Sequence, residues 1–474
     1  MKQSNIVFRM ALTQLTRERG MMIFYALCAV AIGIVVPFFT RDLQRPLTIA
    51  TLLTTVILRQ LLADSLAGER ENKTLEALLS TSIKGKALVY GYFQCYLLFA
   101  LCSFTVMAAL AMLTVGLAGY GWQIEAWQGV AIIVLAVLNY SAIVLAGVYI
   151  SARSDSPRTA AALISSLAYP LGLLYLIFIS ITMLLTAITV VVTGVFLAVV
   201  YLTFIIVYVR KTSHLKQPDY FENIKTKKAQ NASKYRTSFA APRSPFAIVF
   251  AFEWKYFLTL GKLLGSFGRM CFYPAFVACA LAYFTDSFDL SYAVLVTVLI
   301  IPRVPTNLIA YSIGGEKAYK TGESLLSTPL HVRSVFLAKC ALPVLISTVM
   351  LLLSALVSLA VADLYSRFFA SADTVYMYSA EQLMLLFPVS IMSSVAMVLT
   401  TGVLSVVMKT PRQGLYAAFA LGFVFVLPTL AIVYLAQNSF LWSVAYFLML
   451  LIANLLGVKS ISERITRPQL SAQL

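Results

Sequence analysis

Long apolar runs separated by short polar stretches follow one another along almost the whole chain. A run of about 20 apolar residues, rising about 1.5 Å per residue, is long enough to cross a hydrocarbon layer about 30 Å thick. The pattern predicts twelve membrane spans, six on each side of a polar stretch. They lie near 21–40, 46–63, 88–117, 128–151, 159–180 and 186–209, and then near 266–284, 290–313, 335–361, 383–408, 415–435 and 440–458.

Composition narrows the class of protein. Of the 474 residues, 60% are hydrophobic and 12% are charged, and the mean hydropathy is +0.87. One soluble core does not bury that much apolar surface, so the fold class is an all-α polytopic membrane protein. The six cysteines lie in or beside apolar runs and form no CxxC pair, and the two histidines are far apart. We therefore expect no metal site and no bound cofactor.

The distribution of basic residues predicts the orientation. With the N-terminus in the cytosol, most of the 36 Lys and Arg fall in cytosolic segments, and only Arg41, Arg45 and Arg367 fall outside. This positive-inside bias predicts a multi-pass protein of the plasma (inner) membrane with both termini cytosolic. The formal charge of +17 follows from the same bias, so it favours contact with anionic lipid and gives no reason to expect nucleic acid.

The polar stretch at 210–243 divides the chain. It carries nine basic and two acidic residues and no long apolar run. Such a composition is typical of a flexible linker. The predicted organisation is a first six-helix transmembrane domain at 1–209, a basic cytosolic linker at 210–243 and a second six-helix transmembrane domain at 244–474.

One segment occurs twice. The first motif, Ser65–Ser82, reads SLAGERENKTLEALLSTS, and the second motif, Ser312–Pro329, reads SIGGEKAYKTGESLLSTP. They align without a gap at an offset of 247, with ten of eighteen positions identical. Each ends the second predicted span of its half and leads into the third, so the chain is predicted to be a duplication of a six-helix unit in parallel orientation.

Each motif has the pattern of an amphipathic helix. On a helix, Glu69, Lys73 and Glu76 fall within a narrow arc, while the leucines occupy the opposite side. The same arc recurs in the second motif. A helix lying passively along the membrane would explain the amphipathicity, but not why one charged pattern is kept twice in the same place.

The motif resembles the intracellular segment of the type-two ABC transporter permease family, in which it forms a coupling helix after the second span. The second motif departs from the family pattern at Gly322, where leucine is usual, and has Ala318 opposite Glu71. The residues expected to couple to the ATPase are Glu69, Lys73, Thr74, Glu76, Leu78 and Leu79, and Glu316, Lys320, Thr321, Glu323, Leu325 and Leu326.

The resemblance implies the permease subunit of an ABC exporter, with an elbow helix opening each half at Ile6–Arg19 and Phe246–Lys262. The chain has no GxxxxGK[ST] phosphate loop, so it is not expected to be an enzyme. ATP and Mg²⁺ would be used by a partner, and a full transporter would need two ATPase subunits. Family members commonly have one six-span unit per chain, whereas this chain supplies both.

A secondary transporter of twelve spans, with parallel six-helix halves, is the alternative. Such proteins usually carry carboxylates at midplane, and no Asp or Glu lies well inside a predicted span here. Arg59 and Arg303 lie in the second span of each half and are possible path or gate residues. Arginines that snorkel or pair near the interface explain them equally well.

Overall fold

The structure, a computed structural model, is 95% helical in the part of the chain that it describes, and that part contains no strand. Contacts divide the chain into two compact units, Met1–Thr237 and Ser238–Leu474. The division falls within the predicted linker. The described residues are 2–17, 25–26, 29–37, 43–71, 85–119, 125–154, 156–184, 187–213, 244–259, 261–285, 290–303, 306, 308–310, 312–314, 331–369, 376–407, 425, 428–429, 432 and 439–464.

The first unit is a set of long helices that follow the predicted apolar runs. A π-helical turn at Ala31–Val35 lies in the first run, and Pro170 lies inside one of the long helices. The helices are α1 Lys2–Arg17, α2 Gln44–Asp64, α3 Leu66–Glu71, α4 Gly85–Leu117, α5 Ala126–Arg153, α6 Pro157–Leu184 and α7 Ala187–Ser213.

In the second unit, two of the described interruptions contain a proline. Prolines at 302 and 305 predict a break in the second span, and there the α-helix passes into a 3-10 turn at Ile301–Arg303. A π-helical turn at Leu385–Val389 contains Pro388. The helices are α8 Pro245–Thr259, α9 Gly261–Met270, α10 Tyr273–Thr285, α11 Leu290–Ile300, α12 Val332–Phe369, α13 Ala380–Met384, α14 Ser390–Val407 and α15 Ser439–Arg464.

Eight helices in the described residues are long and apolar enough to cross a membrane. They account for eight of the twelve predicted spans. The predicted spans at 21–40, 266–284, 290–313 and 415–435 fall on shorter helices or on ranges described only in part, so the number twelve stays a prediction.

Helix α2 lies at the centre of the first unit. Of the 18 most apolar consecutive residues in the candidate span Ile49–Arg70, 94% are buried, against 17% in the candidate span Ala187–Thr212 of α7. Glycines let neighbouring helices approach it closely, because a Cβ added at Gly147 of α5 would lie 2.5 Å from Cδ1 of Leu62. The first motif therefore begins at the end of the most buried of the candidate spans in the described residues.

The opening helix of each unit packs on the helix that follows the motif. In the first unit, a Cβ added at Gly91 of α4 would lie 2.5 Å from the Cβ of Val7, so α1 and α4 are in close contact. In the second unit, Val249 of α8 is buried with Val335 and Ala338 of α12. Helices thus lie where the two elbow helices are predicted.

Candidate functional site

The first motif begins where α2 ends, at a bend around Ser65. The backbone N–H of Ser65 donates to the carbonyl of Leu62 at 3.3 Å, and its side-chain Oγ donates to the same carbonyl at 2.6 Å. Its ψ of −93° takes the chain out of the α-helix before α3 begins at Leu66. The motif therefore leaves α2 at a fixed turn.

Ser151 of α5 holds this bend from the side. Its hydroxyl lies 3.1 Å from the hydroxyl of Ser65, accepts the backbone N–H of Ala67 at 3.0 Å and donates to the carbonyl of Ala63 at 3.2 Å. A serine hydroxyl offers one donor and two acceptor positions. Because Ser151 is fully buried, water does not compete for these bonds.

Arg70 joins α3 to the end of α5. Its guanidinium donates to the carbonyl of Ala152 at 2.7 Å and also to the carbonyl of Ser154. The last carbonyls of a helix have no partner within the helix, and they carry the negative end of its dipole. A cation with several N–H donors satisfies both needs, so Arg70 caps α5 and ties the motif to it.

Glu69 joins the motif to α1. The side-chain amide of Gln14 donates to Oε1 of Glu69 at 3.2 Å, and Glu69 is only 7% exposed. The amphipathic pattern places Glu69 on the polar arc, and the structure shows that this side of the motif meets α1 at Glu69. The beginning of the first motif is thus held by α1 and by α5 at once.

The remaining motif residues lie outside the described residues. Of the second motif, the structure describes only Ser312–Gly314. Contacts of these predicted coupling residues therefore stay predictions: Lys73, Thr74, Glu76, Leu78, Leu79, Glu316, Lys320, Thr321, Glu323, Leu325 and Leu326.

The second motif begins beside a buried ion pair. Lys339 Nζ of α12 lies 2.5 Å from Oε1 of Glu253 in α8, and the two side chains are 4% and 13% exposed. The ammonium also donates to Oγ of Ser312 at 3.1 Å, and Ser312 donates to Glu253 Oε1 at 3.2 Å. Ser312 corresponds to Ser65 at the offset of 247, yet its contacts are of a different kind.

Arg59 lies deeper in α2, within the first unit. It is 2% exposed and donates to Oγ of Ser165 at 3.2 Å and to the hydroxyl of Tyr169 at 3.0 Å, both on α6. Its Cζ is 5.7 Å from the centre of the Tyr169 ring, which adds a cation–π contact. Arg59 therefore faces protein. Arg303 lies in the 3-10 turn, and its side chain is outside the described residues.

The contacts that hold the two motifs were not visible in sequence patterns. Gln14, Ser151 and Glu253 belong to no motif, and each meets its partner from a segment distant in sequence. Only Lys339 could have been noticed in the sequence, because it lies within the predicted span 335–361. A lysine there is costly in a membrane unless it is paired, so its position indicates a buried acidic partner.

Comparisons with known proteins add no relative: no protein-family model and no curated protein sequence matches this chain. Among the described residues, no group of three or more His, Cys, Asp or Glu could hold a metal ion. What the site offers is mechanical. Hydrogen bonds from α1 and α5 fix the described start of the first motif, at Ser65, Ala67 and Glu69.

Proposed function

We propose that the chain is the transmembrane permease subunit of an ATP-driven ABC exporter. It forms the translocation path from two parallel six-helix repeats, with both termini in the cytosol. Each motif is a coupling helix that receives one copy of a separate ATPase subunit, which binds ATP and Mg²⁺. The exported substrate passes between the halves.

One observation carries the proposal: the first motif is anchored at its first turn by Gln14 and Ser151, and Arg70 caps a neighbouring helix. A passive surface helix needs no such fixed exit, because lipid alone would hold its apolar face. A segment that passes movement between an ATPase and a helical bundle needs a stiff connection to the bundle. The duplication of the motif supports two such connections.

A twelve-helix secondary transporter is the second candidate. Asp64 lies at the end of α2 and is 5% exposed, and its Oδ2 accepts from the amide of Gln60 at 3.2 Å. Together with Arg59, it places buried ionisable groups along one span, which are the groups that ion-coupled transport uses. Accumulation of a substrate in vesicles driven by a proton or sodium gradient, without ATP, would favour this candidate.

The proposal is tested by purifying the tagged chain from the membranes in which it is naturally made. An ATPase of the ABC type, identified by mass spectrometry, should co-purify and show vanadate-sensitive hydrolysis. The chain purified alone should show none. Hydrolysis by the isolated chain, or the absence of any co-purifying ATPase, would contradict the proposal.

Coupling is tested by reversing one glutamate in each motif, Glu76→Lys with Glu323→Lys. Glu69 is left intact in this test, because its buried contact would confuse assembly with folding. The control is Glu125→Lys with Glu381→Lys, which makes the same charge change at two exposed residues outside the motifs. Only the motif variant should lose the ATPase during purification or uncouple its hydrolysis.

Orientation is tested with reporters fused at three places. Reporters within 210–243 and after Lys459 should be cytosolic, and a reporter between 363 and 373 should lie outside. A cytosolic reporter at 363–373 would rule out the arrangement of six spans in each half.

A further inference from the structure

The buried ion pair of the second unit meets at the first residue of the second motif. Glu253 comes from α8, Lys339 comes from α12, and both bond to the hydroxyl of Ser312. The hydroxyl accepts from the ammonium and donates to the carboxylate, so its bonding capacity is directed at both groups. Three separate segments are thus joined at one atom.

Packing of α8 on α12 does not by itself require these charges. The first unit brings α1 onto α4 with Val7 against Gly91, and the residue that corresponds to Lys339 at the offset of 247 is Tyr92. A buried ion pair is on average no more stabilising than apolar residues of similar volume. What it adds is direction, because charge-assisted hydrogen bonds are short and restrict the angle between partners.

We propose that Glu253 and Lys339 are positioning residues that fix the start of the second motif relative to α8 and α12. Movement of α8 is passed to Ser312 through the ion pair, and from Ser312 to the motif. That the motif then acts on an ATPase rests on the proposed function. The fixing of Ser312 itself does not.

The decisive variant removes both charges together, as Glu253→Leu with Lys339→Met. Because the apolar pair can replace the ion pair without an uncompensated charge, the chain should unfold at nearly the wild-type temperature in lipid nanodiscs. Hydrogen exchange of the amides at 312–314, measured by mass spectrometry, should nevertheless become at least about tenfold faster, because hydrogen bonds to charged groups are lost at Ser312.

Two controls accompany this variant. Arg333→Met removes an exposed positive charge from the same helix, and it should leave exchange at 312–314 unchanged. Amides at 65–67 in the first motif provide an internal reference that no variant should alter. The exchanged pair, Glu253→Lys with Lys339→Glu, should recover most of the protection that either single reversal removes.

Exchange at 312–314 that stays at the wild-type rate in the apolar pair would overturn the proposal. Unfolding at a lower temperature without faster exchange at 312–314 would also overturn it. That result would mean that the ion pair stabilises the fold but does not position Ser312. These measurements use the chain without any ATPase. If no ATPase co-purifies with the wild-type chain, the proposed function fails while the exchange result still decides the positioning role.

Discussion

The two motifs share ten of eighteen residues, yet their first turns are held in different ways. The first is tethered by an amide-to-carboxylate bond from Gln14 and by the hydroxyl of Ser151. The second is tethered by the ion pair of Glu253 and Lys339. At the matched serines, Ser65 and Ser312, the difference therefore comes from the side chains that neighbouring helices supply.

Beneath this difference lies a common apolar contact. The string Ile-Val-Phe opens both α1 and α8, at 6–8 and 248–250, and the valine of each is buried. One helical turn later, α1 has Ala11 and α8 has Glu253. Aligned on this string, at an offset of 242, buried Ala11 of α1 takes the position of Glu253 in α8. The partner helices differ as well, since Lys339 of α12 has Tyr92 of α4 as its counterpart at the offset of 247.

The largest effect is expected from Glu69→Lys. It replaces a 7% exposed carboxylate, which accepts a hydrogen bond from the side-chain N–H of Gln14, with an ammonium. An ammonium has no acceptor, so this N–H group cannot donate to it. A buried charge without its partner costs about 3 kcal/mol, and the first unit should lose that much in an SDS unfolding titration followed by circular dichroism. Glu69→Gln keeps an acceptor oxygen and should lose much less. Equal unfolding of both variants would show that the contact is not stabilising.

A smaller effect is expected from Gly91→Ala, which gives α4 the side chain that α12 already has at Ala338. The new Cβ would lie 2.5 Å from the Cβ of Val7 and 2.9 Å from the carbonyl oxygen of Ser4. Neither atom is the tip of a flexible side chain, so overpacking should cost about 2 kcal/mol and outweigh the helix preference of alanine.

The reciprocal change, Ala338→Gly, should cost only about 1 kcal/mol, through helix propensity. Both are read from the same titration. A Gly91→Ala chain that is more stable than wild type would mean that α1 can shift on α4. The close contact of Val7 with Gly91 would then not contribute to stability.

The smallest effect is expected from Arg70→Ala, which removes the cap of α5. Loss of a cation at a helix C-terminus costs about 1 kcal/mol, and hydrogen exchange at 152–154 should rise while the rest of α5 stays protected. Arg70→Lys keeps the charge but loses the fork of N–H donors, so it should lie between. Lys86→Ala, at an exposed lysine of α4, serves as the control. Unchanged exchange at 152–154 in Arg70→Ala would show that Arg70 does not hold the end of α5.

The long helices were predictable from sequence because one property, apolar length, determines them. The run at 88–117 predicts α4, Gly85–Leu117, and the run at 128–151 predicts α5, Ala126–Arg153. In the stretch near 180–192, which has no charge or proline to mark a turn, α6 is described as far as Leu184 and α7 from Ala187, while 185–186 lie outside the described residues.

The site was less predictable, for two physical reasons. A helical pattern shows that Glu69 lies on a polar arc, but the arc is the same whether it meets water or a polar group such as Gln14. Glu253 and Lys339 are 86 residues apart, and only the tertiary fold brings them together. Local periodicity holds no information on such pairs.

The contact of each opening helix with a later helix also has a consequence for synthesis. Gly91 leaves the ribosome 84 residues after Val7, which at about 5–20 residues per second means a delay of roughly 4–17 s. During that delay α1 lacks its close contact with α4. In the second unit Lys339 is made 86 residues after Glu253. Until then, moving the Glu253 carboxylate into hydrocarbon without this partner costs free energy. The order of translation thus means that the ion pair forms only after this part of α12 has been made, while α13 to α15 still follow.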